Sequence, residues 1–413
     1  MKLNRLISSI FAATVVSSLV FAVNSTVLAD GEGLLIDENS FPDENFRAYV
    51  SANIDNGDGV LSDEEISNTK EIDCNFCGIE SLEGIEYFTA LETLNCGSNG
   101  LNGLDLRGNP ELRFLNCCDT HCTTLNVSKN TKLKELHCEA CSLTSLNLKN
   151  NTKLTYLYCP NNKLTSLNVS KNTKLDFIQC EGNQLTKLDV SQCKNLTTMW
   201  CGGNNIKTLV LNKKLQRLIC GDSTLEKLDI SGCPALNVTF RRNKREARSK
   251  VYYYYFSEVP FKEENYFKYS FFIVSKTCKI KYSKAAQWCE ISGNWYHMDA
   301  KGKIAKNCKK IGKYYYLFNS KGVMQKSGWK KDSKGNTYYL KKDGKAYTKK
   351  WAKKSGKWYY FGSNGKMVKG KSLKIGKRLI SSIQREFVRI RKPGYYQMVR
   401  GPSHPRWSSL ISG

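Results

Sequence analysis

"LTYLYCPNNKLTSLNVSKNTKL", Leu154 to Leu175, holds one cysteine, Cys159, and a spacing that organises the first half of the chain. Twenty-one residues further on stands Cys180, and twenty-one back stands Cys138. Aligned on sulfur, the series runs Cys74, Cys96, Cys117, Cys138, Cys159, Cys180, Cys201 and Cys220, with steps of 22, 21, 21, 21, 21, 21 and 19. Two residues before each cysteine comes Ile72, Leu94, Leu115, Leu136, Leu157, Ile178, Met199 or Leu218. Three residues after comes Asn99, Asn162, Asn183 or Asn204, with Cys77, Thr120, Cys141 and Ser223 in the other units. A fixed period of this length marks stacked repeats, each unable to bury its apolar face without its neighbours.

The period carries its own packing scheme. Leu157-Tyr158-Cys159 alternates inward, outward, inward, as a short strand must. The second half-turn, Leu164 to Val169, supplies the opposite wall, and the asparagine sits at a bend where a short amide satisfies backbone groups inside the stack. The thiols are then small inward-facing hydrophobes. Disulfides are the usual expectation for an exported chain, but 17 cysteines is an odd number and packing already accounts for their spacing. Cys74-x2-Cys77 and Cys138-x2-Cys141 have metal-ligand spacing, yet the register turns all four toward the core. Cys118, His121 and Cys122 form the one irregular group of ligand type.

The unit L-x-x-L-x-C-x-x-N-x-L-T-x-L-[ND]-[VL]-S resembles the leucine-rich repeat of the short bacterial class, over residues 72–237. The resemblance implies a mostly β solenoid with a concave sheet. On that sheet the outward positions place His137, Tyr156, Tyr158, Phe177, Gln179 and Trp200 together as an exposed aromatic and polar patch. Amphipathic rings of this kind anchor protein or sugar partners.

Residues 33–71 read as a helical cap for the apolar end of the stack. Pro42 followed by Asp43 and Glu44 marks a helix start. "DNGDGVLSDEE" is similar to the EF-hand calcium loop but departs from it, since Ile54 falls at the first ligand position. A shortened loop would draw on Asp55, Asn56, Asp58 and Glu65; the alternative is a Gly-Asp turn followed by a capping box from Ser62 and Glu65. Apart from calcium at that loop, no cofactor is expected.

The chain's charge changes sign along its length. Residues 1–240 hold 21 basic and 28 acidic residues, and residues 241–413 hold 43 and 9. The start has the layout of a secretory signal peptide, with cleavage expected after Ala29, and no later segment is apolar enough to span a bilayer. For an exported chain, anionic wall polymers are the available target of a basic half, and nucleic acid is not expected as a partner. Residues 238–284 read as a strand-rich linker.

Over residues 285–370 a second repeat aligns on glycine: Gly293-Asn-Trp-Tyr-His, Gly312-Lys-Tyr-Tyr-Tyr, Gly335-Asn-Thr-Tyr-Tyr and Gly356-Lys-Trp-Tyr-Tyr. A second glycine follows each, at Gly302, Gly322, Gly344 and Gly365, and Trp288, Trp329 and Trp351 precede three of the units. Turn, aromatic strand, turn, strand describes a β-hairpin array. It resembles the cell-wall-binding, choline-binding-like repeats of Gram-positive surface proteins. That resemblance implies aromatic cages for the choline of teichoic acid, or ring stacking on sugars. The positions matching cage residues are Trp329, Trp351, Trp358, Tyr360 and Met367, then Trp295, Tyr316 and Tyr339. Cys308 and Thr337 replace aromatics, so some sites are expected to be inactive. Residues 371–413 read as the end of the repeat and a disordered tail; arginine replaces lysine from Arg378 onward, which points to a shifted frame or truncated gene.

Together these features describe an exported binding protein of adhesin type, on the cell wall or surface of a Gram-positive-type bacterium. No LPxTG-type sorting motif occurs in the sequence, which leaves the hairpin array as the expected noncovalent attachment. Catalysis is not expected, because no nucleophile–base pair, HExxH or paired-carboxylate region stands out; the rival class is a wall-associated hydrolase, or accessory subunit, using the same anchor.

Overall fold

The computed structural model describes residues 33–221, 224–246, 253–255, 271–274, 278–355, 357–368, 372–375, 378–381, 387–392 and 395–400. The expected signal segment, 1–29, lies outside them. Among the described residues no helix is long and apolar enough to cross a membrane.

Eight short strands, from Glu71–Asp73 to Arg217–Cys220, lie parallel and in register along one sheet, each coil pairing with the next at the repeat period. The central residue of each strand points inward with the ladder cysteine two positions later, and all eight of those cysteines are buried. Together with the opposite wall, Leu164, Leu167 and Val169 in the coil of Cys159, they form one continuous apolar core. Cys77 departs from the expected burial and is only half-buried, since its coil lies next to the cap and has no full neighbour above it.

Two asparagine ladders satisfy the bends. Asn162 Nδ2 donates to the carbonyls of Cys138, Cys159 and Pro160 at 2.8, 3.2 and 3.0 Å, while its Oδ1 accepts from the amides of Cys141 and Leu143 at 3.2 and 2.9 Å. Asn99, Asn183 and Asn204 repeat the pattern. The second ladder was not foreseen. Asn109, Asn130, Asn151 and Asn172 each donate to two carbonyls of the preceding coil, from the opposite bend. Cys193 and Cys233 occupy the same position, with their thiols on the Val169 and Asn212 carbonyls at 3.5 and 3.0 Å.

The cap closes the first coil. Asp43 caps the helix Glu44–Asn53 by accepting from the Phe46 amide at 2.8 Å, and its second oxygen accepts from the Glu80 and Ser81 amides at 2.8 and 3.0 Å, which ties the helix to the stack. Phe41, Phe46, Val50 and Leu61 join the solenoid core.

The expected linker is not simply strand-rich. Pro234–Glu246 is a helix; the β propensity of "NVTF" yields to the burial of Leu236 and Phe240 against the last coil and of Ala235 and Val238 against the first hairpin. Beyond it the solenoid resumes: Phe271–Val274 pairs in parallel with Arg217–Cys220, and Lys279–Lys281 pairs in parallel with Lys227–Asp229. A further coil therefore follows an insertion that breaks the period.

Four antiparallel hairpins come next: Gln287–Ile291 with Asn294–Met298, Asn307–Ile311 with Tyr314–Phe318, Gly328–Lys331 with Thr337–Leu340, and Lys350–Lys354 with Lys357–Phe361. Each hairpin is tied to its neighbours by backbone bonds such as Met324 N to Trp295 O at 2.8 Å and Met367 N to Thr337 O at 2.7 Å. At Gly344, φ is +82° and a Cβ would stand 2.7 Å from the Met324 sulfur, so the close approach of successive hairpins requires glycine there. The expected disorder after residue 371 is corrected for the described part of the tail. Ser372–Ile375, Arg378–Ser381, Phe387–Lys392 and Tyr395–Arg400 form a four-stranded antiparallel sheet, in keeping with the period-two alternation of Phe387-Val388-Arg389-Ile390-Arg391.

Candidate functional site

The parallel register stacks outward side chains directly above one another. On the concave sheet this builds an aromatic column. Phe114 lies 5.3 Å from His137, His137 stacks on Tyr156 at 5.2 Å and 15°, and Tyr156 stacks on Phe177 at 4.3 Å and 3°. Trp200 meets Phe177 edge-on at 5.6 Å, and Tyr158 leans on His137 at 5.5 Å. The six expected patch residues therefore lie on one face, but not all are open. Phe177 is 5% exposed and Gln179 9%, because the rings cover one another and Gln179 Nε2 donates to Glu181 at 3.1 Å. Both faces of Tyr156 are occupied, so the column presents ring edges and polar atoms rather than free π faces.

Burial pushes the Tyr156 phenol up to about 12, with the Glu135 charge adding to it, and holds the His137 imidazole below its ordinary value. Both groups are therefore uncharged at neutral pH. Beside the column opens a cleft of about 360 Å³ lined by Glu135, Thr155, Tyr156, Asp176, Phe177, Thr197, Thr198 and Arg217. Arg217 donates from Nη1 to Thr198 Oγ1 at 3.1 Å and from Nη2 to Ser292 Oγ of the first hairpin at 2.9 Å, so the array helps to set one wall of the cleft. Glu135 and Arg217 hold the same strand position in the repeat as Tyr156 and Phe177, whereas Asp176 lies one residue earlier in its coil; the sequence reading placed none of the three in the patch.

In the cap, Asp55, Asn56, Asp58 and Glu65 share one loop. Glu65 accepts from the Asn56 amide at 2.8 Å and, in the capping box, from the Ser62 amide and hydroxyl at 2.8 and 2.7 Å. These bonds, those of Ser62 foremost, lower its carboxyl below the usual range. Asp55 accepts from Gly59 and Asp58 from Val60. Among the described residues no group of three or more His, Cys, Asp or Glu side chains is arranged to hold a metal ion. Cys118 and Cys122 meet the Glu139 amide and the Leu101 carbonyl respectively.

The array gathers its aromatics into clusters. Trp329 lies 5.4 Å from Tyr339, 5.1 Å from Tyr359 and 5.3 Å from Phe361, with Tyr347 4.7 Å from Tyr339. Trp288 lies 4.9 Å from Tyr316, 5.0 Å from His297 and 6.4 Å from Trp295. Trp351 pairs with Tyr360 at 5.1 Å, and the Met367 backbone forms an isolated antiparallel bridge with Phe361. The Trp358 side chain lies outside the described residues. Tyr359, Phe361, Tyr347 and Trp288 complete these clusters although the sequence reading did not place them among the site residues. Cross-strand, Trp288, Trp329 and Trp351 face His297, Tyr339 and Tyr360, whereas Cys308 in the same position faces Leu317.

The family described as "Putative cell wall binding repeat", of the choline-binding type, matches residues 287–304, 327–346 and 349–367. The match passes over the second hairpin, where Cys308 takes the tryptophan's place. Internalin J of Listeria monocytogenes is 38% identical over 70 residues, 17% of this chain and 8% of that protein, so the chain spans under a tenth of the curated relative it matches. Among solved structures, the functional domain of internalin J, described as including a cysteine ladder, is similar with 23% identity and a TM-score of 0.27 over 51% of this chain and 71% of that one. Internalin C2 of the same organism gives 16% and 0.41 over 50% and 94%. A choline-binding domain from Streptococcus pneumoniae gives 26% and 0.17 over 20% and 93%.

Proposed function

We propose that this leucine-rich repeat protein, with its choline-binding-type wall repeats, is an exported surface-binding protein of a Gram-positive-type bacterium that works by recognition and not by catalysis. In this reading the hairpin array holds it noncovalently to a wall polymer, through choline or a glycan. The concave sheet of the solenoid engages a separate protein or glycan. The observation that carries the reading is the convergence of Trp329, Tyr339 and Tyr359 within the segments that the wall-binding repeat matches. Ring faces in such a cluster attract a quaternary ammonium or stack on a sugar.

The concave column supports a partner held at ring edges, at the Tyr156 and Tyr158 hydroxyls and at the carboxylates beside the cleft. Calcium in the cap loop, on Asp55, Asn56, Asp58 and Glu65, is kept as a subsidiary proposal, to be tested by the change in melting temperature on adding calcium to the full chain. The main test is sedimentation of the full chain with purified Gram-positive cell walls. Trp329→Ala with Trp351→Ala is expected to lower retention at least tenfold, and free choline or a wall sugar to compete. Undiminished retention in the double variant removes the attachment reading. For the solenoid, equal partner capture by the Tyr158→Ala/Trp200→Ala variant and the unchanged chain removes the concave patch.

A further inference from the structure

The hairpin array carries its charge in a pattern that aromatic cages do not require. Residues 278–368 contain 23 lysines and four acidic residues. Three of those acids are already engaged: Asp343 pairs with Lys345 at 2.8 Å, Asp332 accepts from Asn336 and Tyr338, and Asp299 accepts from the Lys303 amide at 2.8 Å. The lysines recur at the hairpin tips. From the residue after the cross-strand Cys308 the second hairpin reads "KKIGK" (309–313), and from the residue after Trp329 the third reads "KKDSK" (330–334). The fourth reads "KKSGK" at 353–357. Lys309, Lys310, Lys330, Lys331, Lys353 and Lys354 are all exposed.

The first hairpin is the internal control. Its corresponding stretch is "CEISG" (289–293), with no lysine. This tip does not face solvent freely: Cys289 and Ile291 are buried against the helix Pro234–Glu246, Ser292 N donates to Gln216 Oε1 at 3.0 Å, and Ser292 Oγ receives Arg217. The basic tip is therefore missing at the hairpin that docks on the solenoid and present at the three that project beyond it. Cation and ring also lie side by side at the fourth tip, where Lys354 Nζ stands 5.6 Å from the centre of the Trp329 ring.

We infer that the three basic tips form a second recognition element, binding the phosphodiester backbone of an anionic wall polymer while the aromatic clusters take its organic substituents. The inference rests on the wall-attachment reading and names the chemistry of the ligand: a repeating phosphodiester. Three like-charged tips per array cost self-repulsion that a polyanion relieves. A phosphate held by Lys354 lies within one side chain's reach of Trp329, so backbone and substituent are read together.

The test uses the full chain and synthetic poly(glycerol phosphate), with anionic phospholipid vesicles, duplex DNA and uncharged peptidoglycan fragments as parallel probes. Binding to the polymer is expected to weaken with salt. In the Lys310→Gln/Lys331→Gln/Lys354→Gln variant the log–log salt slope should shrink by about two, the scale of three released single-strand counterions, and affinity should fall at least tenfold. The matching Arg variant should retain binding. Salt-independent binding, equal binding by the Gln variant, or tighter binding to vesicles or DNA than to the polymer overturns the inference. Walls chemically stripped of phosphodiester polymer separate the two readings. Equal retention on stripped and intact walls defeats this inference and leaves attachment standing, whereas no retention on intact walls defeats attachment itself.

Discussion

The solenoid and the hairpin array are both chains of small β units, but they join those units differently. In the solenoid one apolar core runs from Phe41 in the cap to Phe240 after the last regular coil, and side-chain amides stitch most bends to the one before. In the array the buried residues fall into separate small groups, such as Leu317, Tyr338, Leu340 and Ala346, and the ties between units are single backbone bonds, ring contacts and the bonds that Asn307 Oδ1 accepts from the Ser333 amide and hydroxyl. The solenoid thus depends on one continuous dry core, while the array tolerates a degenerate unit such as the second hairpin, with Cys308 in the tryptophan position.

Alkaline pH should separate them most. Burial pushes the Cys159 and Cys74 thiols up to about 12 and raises Cys96, Cys138, Cys180 and Cys201 well above their ordinary value. The unfolded chain loses these protons near pH 9 while the folded chain keeps them. The stability they confer is therefore complete below about pH 9 and is lost as pH rises toward the folded values. Each such thiol costs about 1.4 kcal/mol per pH unit in that window, so a handful suffices to exhaust a typical domain stability. Among the described hairpins only Cys289 and Cys308 contribute thiols of this kind. Limited proteolysis between pH 8 and 11 should cut the solenoid before the array; array-first or simultaneous cleavage breaks the contrast.

Next in size is the loss of one bend amide. Asn162→Ala strands three carbonyls and two amides inside the stack, at an expected cost of about 4 kcal/mol, against 1–3 kcal/mol for a single buried unsatisfied group. Asn319 in the array accepts one amide bond, from Val323 at 2.9 Å, and Asn319→Ala should cost about 1 kcal/mol. Urea midpoints of the two variants measure the difference, and equal shifts would mean that the ladders are not what distinguishes the regions.

These cases show how much was readable from sequence. The period of Cys74 to Cys220 and the alternation Leu157-Tyr158-Cys159 placed the sheet, the core and the asparagine bend, because side-chain direction in a strand follows from position alone. The second ladder was written just as openly, in Asn109, Asn130, Asn151 and Asn172, but an asparagine preceding a turn reads as a side chain facing water until the coil above it is present. The coil at Phe271–Val274 was hidden because its insertion destroys the period. The openness of Phe177 was misjudged for another reason: outward in a strand does not mean exposed when identical positions stack large rings. The cleft beside Tyr156 needed three dimensions, since Glu135, Asp176 and Arg217 lie in different coils.

Within the solenoid, coils differ from one another in the same way as the two regions do. Where Asn162 makes its bonds, the coil before it has Cys141, whose thiol reaches the equivalent carbonyls of Cys117 at 2.9 Å and Glu139 at 3.2 Å as a weak donor. Cys141→Asn offers an amide of similar size to those carbonyls and to the amides of Thr120 and Cys122. It should raise stability by about 1–2 kcal/mol, read as an upward shift in the urea midpoint. A loss would show that this coil has repacked around sulfur.

The smallest effect concerns the bend itself. Residues 76, 98, 119, 140, 161, 182 and 203 all adopt positive φ, and the occupants Ser98, Asp119, Ala140, Asn161, Gly182 and Gly203 are small or amide-bearing. Phe76 is the exception, a bulky residue at φ +58° that is 76% exposed. A large side chain in the left-handed region carries about 1–2 kcal/mol of strain, and so exposed a ring returns little of it through packing. Phe76→Asn, which copies Asn161 from the regular coils, should therefore stabilise the solenoid by about 1 kcal/mol, read as a rise in melting temperature. If it does not rise, the first coil tolerates at its free edge a bulky residue in a conformation that the inner coils give to small ones, and the stringency seen in the ladders belongs to stacked bends alone.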